Sequence, residues 1–207
     1  AILVEEPFLL WLKNSAILSV GTMIAAMGTA VTAAYAFSRY RFKGRNGVLQ
    51  ALLILNAFPQ ILSMFAIFRL FKTFHLLNSY LGLIIVYAGS MCIFSIWNMK
   101  GYFDTIPVEI EEAARIDGTN KMQTFVQVVL PLVAPGVVAT AIYTFINTWN
   151  EFLYALILMN NTSKMTVAVA LRSLDGAEIL DWGDMMAASA LVVLPSVIFF
   201  CLIQNKI

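Results

Sequence analysis

Long uncharged, mostly apolar intervals alternate with short charged stretches along the chain. A helix needs about 20 apolar residues to cross a bilayer, and five intervals reach that length. Only helices satisfy their own backbone hydrogen bonds over such lengths in lipid, whereas barrel strands would be about 10 residues long and alternating. The pattern predicts one all-α, polytopic transmembrane helix bundle over residues 1–207, with spans at 12–37, 47–70, 79–99, 126–159 and 185–204.

The composition is typical of a membrane protein. The 207 residues are 60% hydrophobic and 12% charged, with a mean hydropathy of +0.82, whereas soluble domains are about half apolar and a quarter charged. The formal net charge of +1 offers no dense basic surface for nucleic acid. Cys92 and Cys201 lie in apolar runs without the spacing of a disulfide framework or metal site, so we predict that they are small core residues.

Basic residues predict the orientation of the spans. The segment 39–45 is rich in them: Arg39, Arg41, Lys43 and Arg45. The positive-inside rule places this segment in the cytoplasm, and alternation then places 100–121 inside and 160–184 outside. The same cations could instead form a patch that binds lipid phosphate or a nucleotide. Basic residues at a membrane surface more commonly only set the topology and contact lipid in general. The first span then runs inward, so we expect another span upstream and six in the full protein.

The segment 104–121 is too polar to span a membrane and predicts a helix, a glycine turn and a second helix. Pro107 suits the first turn. Three acidic residues favour the positive end of the helix: Glu109, Glu111 and Glu112. Gly118 can end the helix in a left-handed conformation, and Asn120 with Gln123 resembles a capping pair that starts the next helix.

One face of this predicted helix carries an apolar stripe formed by Ile106, Ile110, Ala113 and Ala114. Alanines allow a neighbour to approach closely. A helix lying on lipid would combine Lys or Arg with larger apolar residues, whereas this one combines glutamates with alanines. The pattern therefore favours a docking helix for a cytosolic protein partner over a lipid-surface helix.

The same segment resembles the EAA loop of ABC-importer permeases. The matching residues are Glu112, Ala113, Ala114, Asp117, Gly118, Phe125, Leu130, Pro131 and Pro135. Residues 35–45, 149–152 and the last span are similar to those of sugar permeases. The resemblance covers nearly the whole chain and is closest to the smaller, six-span subunit of maltose-transporter-like carbohydrate permeases. Thr119 departs from the alanine that is common there.

This resemblance implies the permease subunit of an ATP-driven importer for a sugar or oligosaccharide, in the plasma or inner membrane of a prokaryote. It implies three kinds of partner: a second homologous permease, two copies of a cytosolic ATPase and an extracytoplasmic solute-binding protein. The chain has no G-x-x-x-x-G-K-[ST] loop, so ATP and Mg would be used by the ATPase and this chain would be non-catalytic, without a cofactor. The residues implied in ATPase coupling are Glu111, Glu112, Ala113, Ala114, Asp117 and Gly118.

Polar residues inside spans are candidates for a substrate pathway. A carboxylate at the bilayer centre costs about 2.5–3.5 kcal/mol on insertion scales, so Glu151 should face water, a partner or an interface. Trp149 offers a ring on which a sugar could stack. The other candidates are Asn147, Asn150, Asn56 and Gln60. Packing, gating or interface anchoring is the alternative for these residues, and Pro59 predicts a kink in the second span.

Three alternative functions have to be weighed against this one. The first is an ABC permease for another solute, such as a glycerol phosphate, polyamine or peptide; the sugar-type motifs favour carbohydrate. The second is an intramembrane enzyme, which needs a nucleophile with a base, paired aspartates or H-E-x-x-H. His75 is the sole histidine and lies in a predicted outer loop, so we predict neither catalysis nor a metal site. The third is a scaffold or receptor without transport.

Overall fold

The computed structural model describes residues 7–174 and 182–203, and all regular structure in these ranges is helical. The predicted all-α helix bundle is therefore confirmed. The helices are α1 (Phe8–Arg39), α2 (Arg45–Asn56), α3 (Gln60–Thr73), α4 (Tyr80–Asp104), α5 (Val108–Ile116), α6 (Lys121–Leu132), α7 (Ala134–Trp149), α8 (Leu153–Leu158), α9 (Val167–Leu174) and α10 (Trp182–Ile203). Residue 204 of the last predicted span lies outside the described residues.

The centre of the bundle is a pair of long helices, α1 and α4, with α7 packed against them. In the described part of the chain these two are the unbroken helices long and apolar enough to cross a membrane, with 32 and 25 residues. Small and hydroxyl side chains are buried along α1, among them Ser19, Thr22, Ala26 and Ala30, and the side-chain amide of Asn98 in α4 donates to the hydroxyl of Thr140 in α7 at 2.7 Å. Such residues let membrane helices approach closely and hydrogen-bond to one another.

Two predicted spans are bent sharply. The second consists of α2 and α3, which meet at 94°. The break lies at Pro59, as predicted, because proline cannot donate to the preceding turn. The fourth consists of α6 and α7, which meet at 74°, followed by α8. Pro135 lies just after this second break, so the predicted interval 126–159 is three helices rather than one. Counting each bent pair as one span raises the number of membrane-crossing candidates to four.

The predicted outer loop 160–184 contains a helix that the sequence analysis missed. Helix α9 packs on α1, and Val167, Val169 and Ala170 are buried. The side-chain amide of Asn14 in α1 donates to the backbone oxygens of Ser163 (3.1 Å) and Met165 (2.9 Å) just before this helix. The lengths of the uncharged intervals predict only helices long enough to cross a membrane, so they could not reveal so short a helix. Residues 175–181 of the predicted loop lie outside the described residues.

Replacing the buried Asn14 with leucine should destabilise this end of the bundle. The substitution removes both bonds to the 163–165 backbone and the bond that the Tyr80 hydroxyl donates to Asn14 Oδ1 at 2.7 Å. We expect a loss of about 2–3 kcal/mol in the free energy of unfolding, measured by denaturation in detergent. Lys13→Gln is the control, because Lys13 is adjacent but exposed. An unchanged midpoint for Asn14→Leu would show that these bonds do not hold the segment.

The surface of the bundle exposes many large apolar side chains, among them Leu9, Ile24, Phe65 and Ile198. Exposed apolar surface of this extent faces lipid or other subunits in a membrane protein. It also explains a wrong prediction, since Cys201 is exposed on α10 while Cys92 is half-buried. An apolar neighbourhood in the sequence therefore does not distinguish a core position from a lipid-facing one.

Candidate coupling site and substrate pathway

The backbone of segment 104–121 matches its prediction. Helix α5 follows Pro107 directly and ends before Gly118, which has a φ of +93°. Asn120 and Gln123 form a reciprocal capping box with two bonds of 2.9 Å that starts α6. Thr119, which departs from the family pattern, donates its hydroxyl to the backbone oxygen of Ala114 at 2.7 Å. This threonine therefore closes the end of α5 and leaves the turn intact.

The inner side of α5 is fixed by a buried carboxylate. Glu111 is fully buried and accepts hydrogen bonds from the guanidinium Nε of Arg39 and, at 2.8 Å, from the hydroxyl of Tyr35. The Arg39 Nη2 also donates to the backbone oxygen of Ile106 at 2.9 Å, just before α5. Arg115 approaches the same carboxylate at 3.6 Å. A buried charge is tolerated when it is paired and hydrogen-bonded in this way, so this group, hereafter the α5 anchor (Tyr35, Arg39 and Glu111), ties α5 to the end of α1.

Aromatic contacts extend the α5 anchor to the helices on either side of α5. The ring of Tyr35 lies 4.6 Å from that of Phe125 in α6 and 5.6 Å from that of Phe103 in α4, measured between centroids. Close aromatic pairs add stabilisation beyond the area that they bury. Helices α1, α4 and α6 therefore meet at the point where α5 is attached.

The residues of the predicted apolar stripe do not share one environment. Ile106 and Ala114 are buried, whereas Ile110 and Ala113 are exposed, and burial is centred near Glu111. The cause lies far away in the sequence, because the partners Arg39 and Tyr35 are 72 and 76 residues from Glu111. A local hydrophobic pattern cannot predict contacts with partners so distant in the sequence.

The six residues predicted to couple to an ATPase divide into two groups. Glu112, Ala113, Asp117 and Gly118 are exposed, whereas Glu111 and Ala114 are buried. In this conformation Glu111 holds α5 in place instead of presenting its carboxylate to a partner. The exposed side of the helix, hereafter the α5 outer face, consists of Val108, Glu109, Glu112, Ala113 and Ile116.

The α5 outer face combines apolar and acidic groups in an unusual way for an exposed helix. Val108 is 47% exposed and Ile116 is 86% exposed, and both lie in line with Glu112 at intervals of four residues. Exposed apolar patches rimmed by polar residues are typical of protein or membrane interaction sites and of ligand-binding grooves. The surrounding carboxylates indicate that a matching surface would supply positive charge.

Three of the predicted pathway residues come together at the bend between α2 and α3. Asn56 and Gln60 line a cavity of about 440 Å³ that also includes Ser63, Ser90 and Tyr154. The amide of Gln60 reaches Glu151 Oε1 at 3.5 Å. Glu151 also caps α8, because its carboxylate accepts from the backbone N–H groups of Tyr154 and Ala155 (at 3.0 and 3.3 Å). The sequence analysis missed the two serines and the tyrosine, which belong to helices that only the fold brings together.

The other three pathway candidates lie elsewhere. Trp149 is buried, stacks on Phe145 and donates its indole N–H to the backbone oxygen of Val192 at 3.2 Å. Its ring therefore packs α7 against α10 in this conformation and is not available for stacking on a sugar. Asn147 and Asn150 donate their amides to backbone oxygens one turn earlier, at 2.8 and 2.9 Å. Neither lines the cavity that contains Asn56 and Gln60.

Comparisons with known proteins agree on what this architecture is. Residues 26–207 match the family model described as "Binding-protein-dependent transport system inner membrane component". The chain is 37% identical to the maltose/maltodextrin transport system permease protein MalG of Vibrio vulnificus, covering 96% of this chain and 69% of that protein. It is 34% identical to the inner membrane ABC transporter permease protein YcjP of Escherichia coli, covering 97% of this chain and 72% of that protein.

A solved structure has the same fold. It is a crystal structure of a bacterial ABC transporter involved in the import of the acidic polysaccharide alginate, with a TM-score of 0.84 at 23% identity. The alignment covers 99% of this chain and 76% of that one. The predicted resemblance to ABC-importer permeases and the predicted location in a prokaryotic membrane are confirmed. The chain belongs to the family of inner-membrane components of binding-protein-dependent transport systems, the permease subunits of ABC importers.

Proposed function

We propose that this chain is the permease subunit of an ATP-driven importer for a neutral sugar or oligosaccharide. The observation that carries the proposal is the α5 outer face, an exposed apolar and acidic helix surface that the α5 anchor holds against the bundle. The 37% identity to a maltose/maltodextrin permease supports the substrate class.

In this proposal a cytosolic ATPase docks on the α5 outer face and uses ATP and Mg. Val108, Ala113 and Ile116 would fill an apolar groove of the ATPase, and Glu109 and Glu112 would meet basic side chains at its rim. When the ATPase subunits move, α5 moves with them. The α5 anchor passes this motion to α1, and the aromatic contacts pass it to α4 and α6. This requires no chemical step in the permease itself.

The proposed assembly contains a second permease beside this one, two copies of the ATPase and an extracytoplasmic solute-binding protein. The substrate would pass between the two permeases. The cavity at Asn56 and Gln60 would then face the pathway, with Glu151 at its edge.

The lining of this cavity favours a neutral polyol over the alternative solutes. The lining residues that the structure describes supply amides, hydroxyls and apolar surface, with neither a cation for a phosphate nor several carboxylates for a polyamine. Amides and hydroxyls donate and accept hydrogen bonds in the manner that sugar hydroxyls require. Apolar side chains such as Phe58 and Ile93 would contact the faces of the sugar ring.

Transport in proteoliposomes tests this proposal. We expect a binding protein loaded with a neutral sugar to stimulate ATP hydrolysis and uptake. Gln60→Leu should raise the sugar concentration for half-maximal uptake about tenfold, because one hydrogen bond is lost. Gln50→Leu is the matched control, since Gln50 is exposed on α2 and does not line the cavity.

Two outcomes would contradict the proposal in different ways. Stimulation only by a phosphate ester, polyamine or peptide would reject the substrate class and keep the transport function. Absence of uptake with every loaded binding protein, in an assembled complex that hydrolyses ATP, would favour the scaffold alternative.

A further inference from the structure

A second cavity, of about 510 Å³, lies between the end of α1, the start of α2 and α5. Its lining includes four cationic side chains beyond the α5 anchor: Arg41, Arg45, Arg115 and Lys121. We propose that this basic cavity binds the phosphate of an anionic phospholipid in the cytoplasmic leaflet. The proposal depends on the membrane location of the family and not on which solute is transported.

The protein neutralises only part of the charge in the basic cavity. Within residues 7–174 and 182–203, Arg41, Arg45 and Lys121 form no salt bridge. Glu111 is the carboxylate in the lining, and both Arg39 and Arg115 pair with it. Several cations held close together repel one another, so an anion bound among them would be stabilised. Basic pockets between membrane helices on the cytoplasmic side bind lipid headgroups for this reason.

A smaller, apolar cavity adjoins the basic one and distinguishes a lipid from a soluble anion. It has a volume of about 290 Å³ and shares Tyr35, Tyr40 and Lys121 with the basic cavity. The remaining lining residues are Thr32, Met122 and Phe125. Thr32 lies two turns before Arg39 on α1, so this cavity extends from the basic end of the helix into the predicted span.

The two cavities together match an amphiphile. The headgroup phosphate would lie among Arg41, Arg45, Arg115 and Lys121, and the start of an acyl chain would lie between Thr32 and Phe125. A free phosphate or a nucleotide would leave the apolar cavity unused. An acidic segment of a cytosolic protein would enter the basic cavity from the cytosol and would not extend into the span. These considerations select a phospholipid over the other anions.

Lipid binding to the assembled transporter tests the proposal. The complex is purified, and its affinity for phosphatidylglycerol and for phosphatidylcholine is measured by native mass spectrometry. We expect tight binding of phosphatidylglycerol alone. The double variant Arg41→Gln/Lys121→Gln should bind it about 30-fold more weakly, because each basic residue near an anionic headgroup contributes about a factor of five.

Lys43→Gln is the matched control and should bind phosphatidylglycerol as the wild type does. Lys43 belongs to the same basic segment and is exposed, but it lines neither cavity. A second measurement uses wild-type protein alone: phosphatidylglycerol with a photoreactive group on its acyl chain should cross-link to the peptide that contains Met122 and Phe125.

Three results would overturn the proposal. One is equal loss of phosphatidylglycerol in Lys43→Gln and the double variant, which would indicate a diffuse charge effect. Another is displacement of the lipid by inorganic phosphate or soluble glycerol phosphate at similar concentrations, which would identify a free anion as the ligand. The third is a cross-link that forms only when the ATPase is removed, which would indicate that a protein segment occupies the cavity.

Discussion

Glu112→Lys should abolish coupled uptake while leaving the permease folded. Glu112 is exposed on the α5 outer face, and the described part of the chain gives its carboxylate no salt-bridge partner, so reversing its charge removes no internal contact. Against a basic rim on the ATPase, the lysine would introduce repulsion. Like charges placed together at an interface cost several kcal/mol, so uptake should fall by at least about 30-fold. Uptake and ATP hydrolysis in proteoliposomes provide the measurement.

Thr105→Lys is the control for adding positive charge near this surface. Thr105 is exposed just before α5 and does not belong to the α5 outer face. We expect it to retain most of the uptake. Normal uptake by Glu112→Lys would show that this carboxylate is not part of the docking surface.

Glu111→Gln is expected to affect both stability and coupling. The substitution leaves the guanidinium of Arg39 buried without its anionic partner, which typically costs about 3–5 kcal/mol. Because the α5 anchor loses its charge pair, α5 should move without carrying α1 along. The number of solute molecules imported per ATP hydrolysed should therefore fall severalfold, while the ATPase stays bound through the α5 outer face. The measurements are the unfolding midpoint in detergent and the ratio of uptake to ATP hydrolysis.

A double variant, Arg39→Met/Glu111→Leu, separates these two effects. Replacing both members of a buried ion pair with apolar residues of similar volume often restores stability. The double variant still lacks the bonds from Arg39 to Ile106 and from Tyr35 to Glu111, so the uptake-to-hydrolysis ratio should stay low. Recovery of the ratio together with stability would mean that the pair only stabilises the fold.

Local features of the coupling segment could be predicted from the sequence because their signals are local. Gly118 needs a positive φ, and the bonds between Asn120 and Gln123 span three residues. The buried position of Glu111 could not be predicted in this way, because its partners lie at the far end of a separate helix. The inward face of a helix depends on such distant partners as well as on its own apolar residues.

The same distinction applies to the spans and the pathway. Pro59 predicted a break, but the 94° angle between α2 and α3 depends on how both helices pack against the rest of the bundle. That angle brings Gln60 to Glu151 and creates the cavity. The residue type of Trp149 suggested that a sugar could stack on its ring. In the structure the ring packs against α10 instead.

Co-purification of the ATPase tests whether α5 is the docking element. The permease would be expressed with the proposed second permease and ATPase, as wild type, Glu112→Lys and Gly118→Pro. Proline fixes φ near −65°, whereas Gly118 has a φ of +93°, so this variant changes the turn that ends α5. We expect the ATPase to co-purify with the wild type and to be lost from both variants. Equal amounts of ATPase with all three proteins would show that α5 is not the docking element.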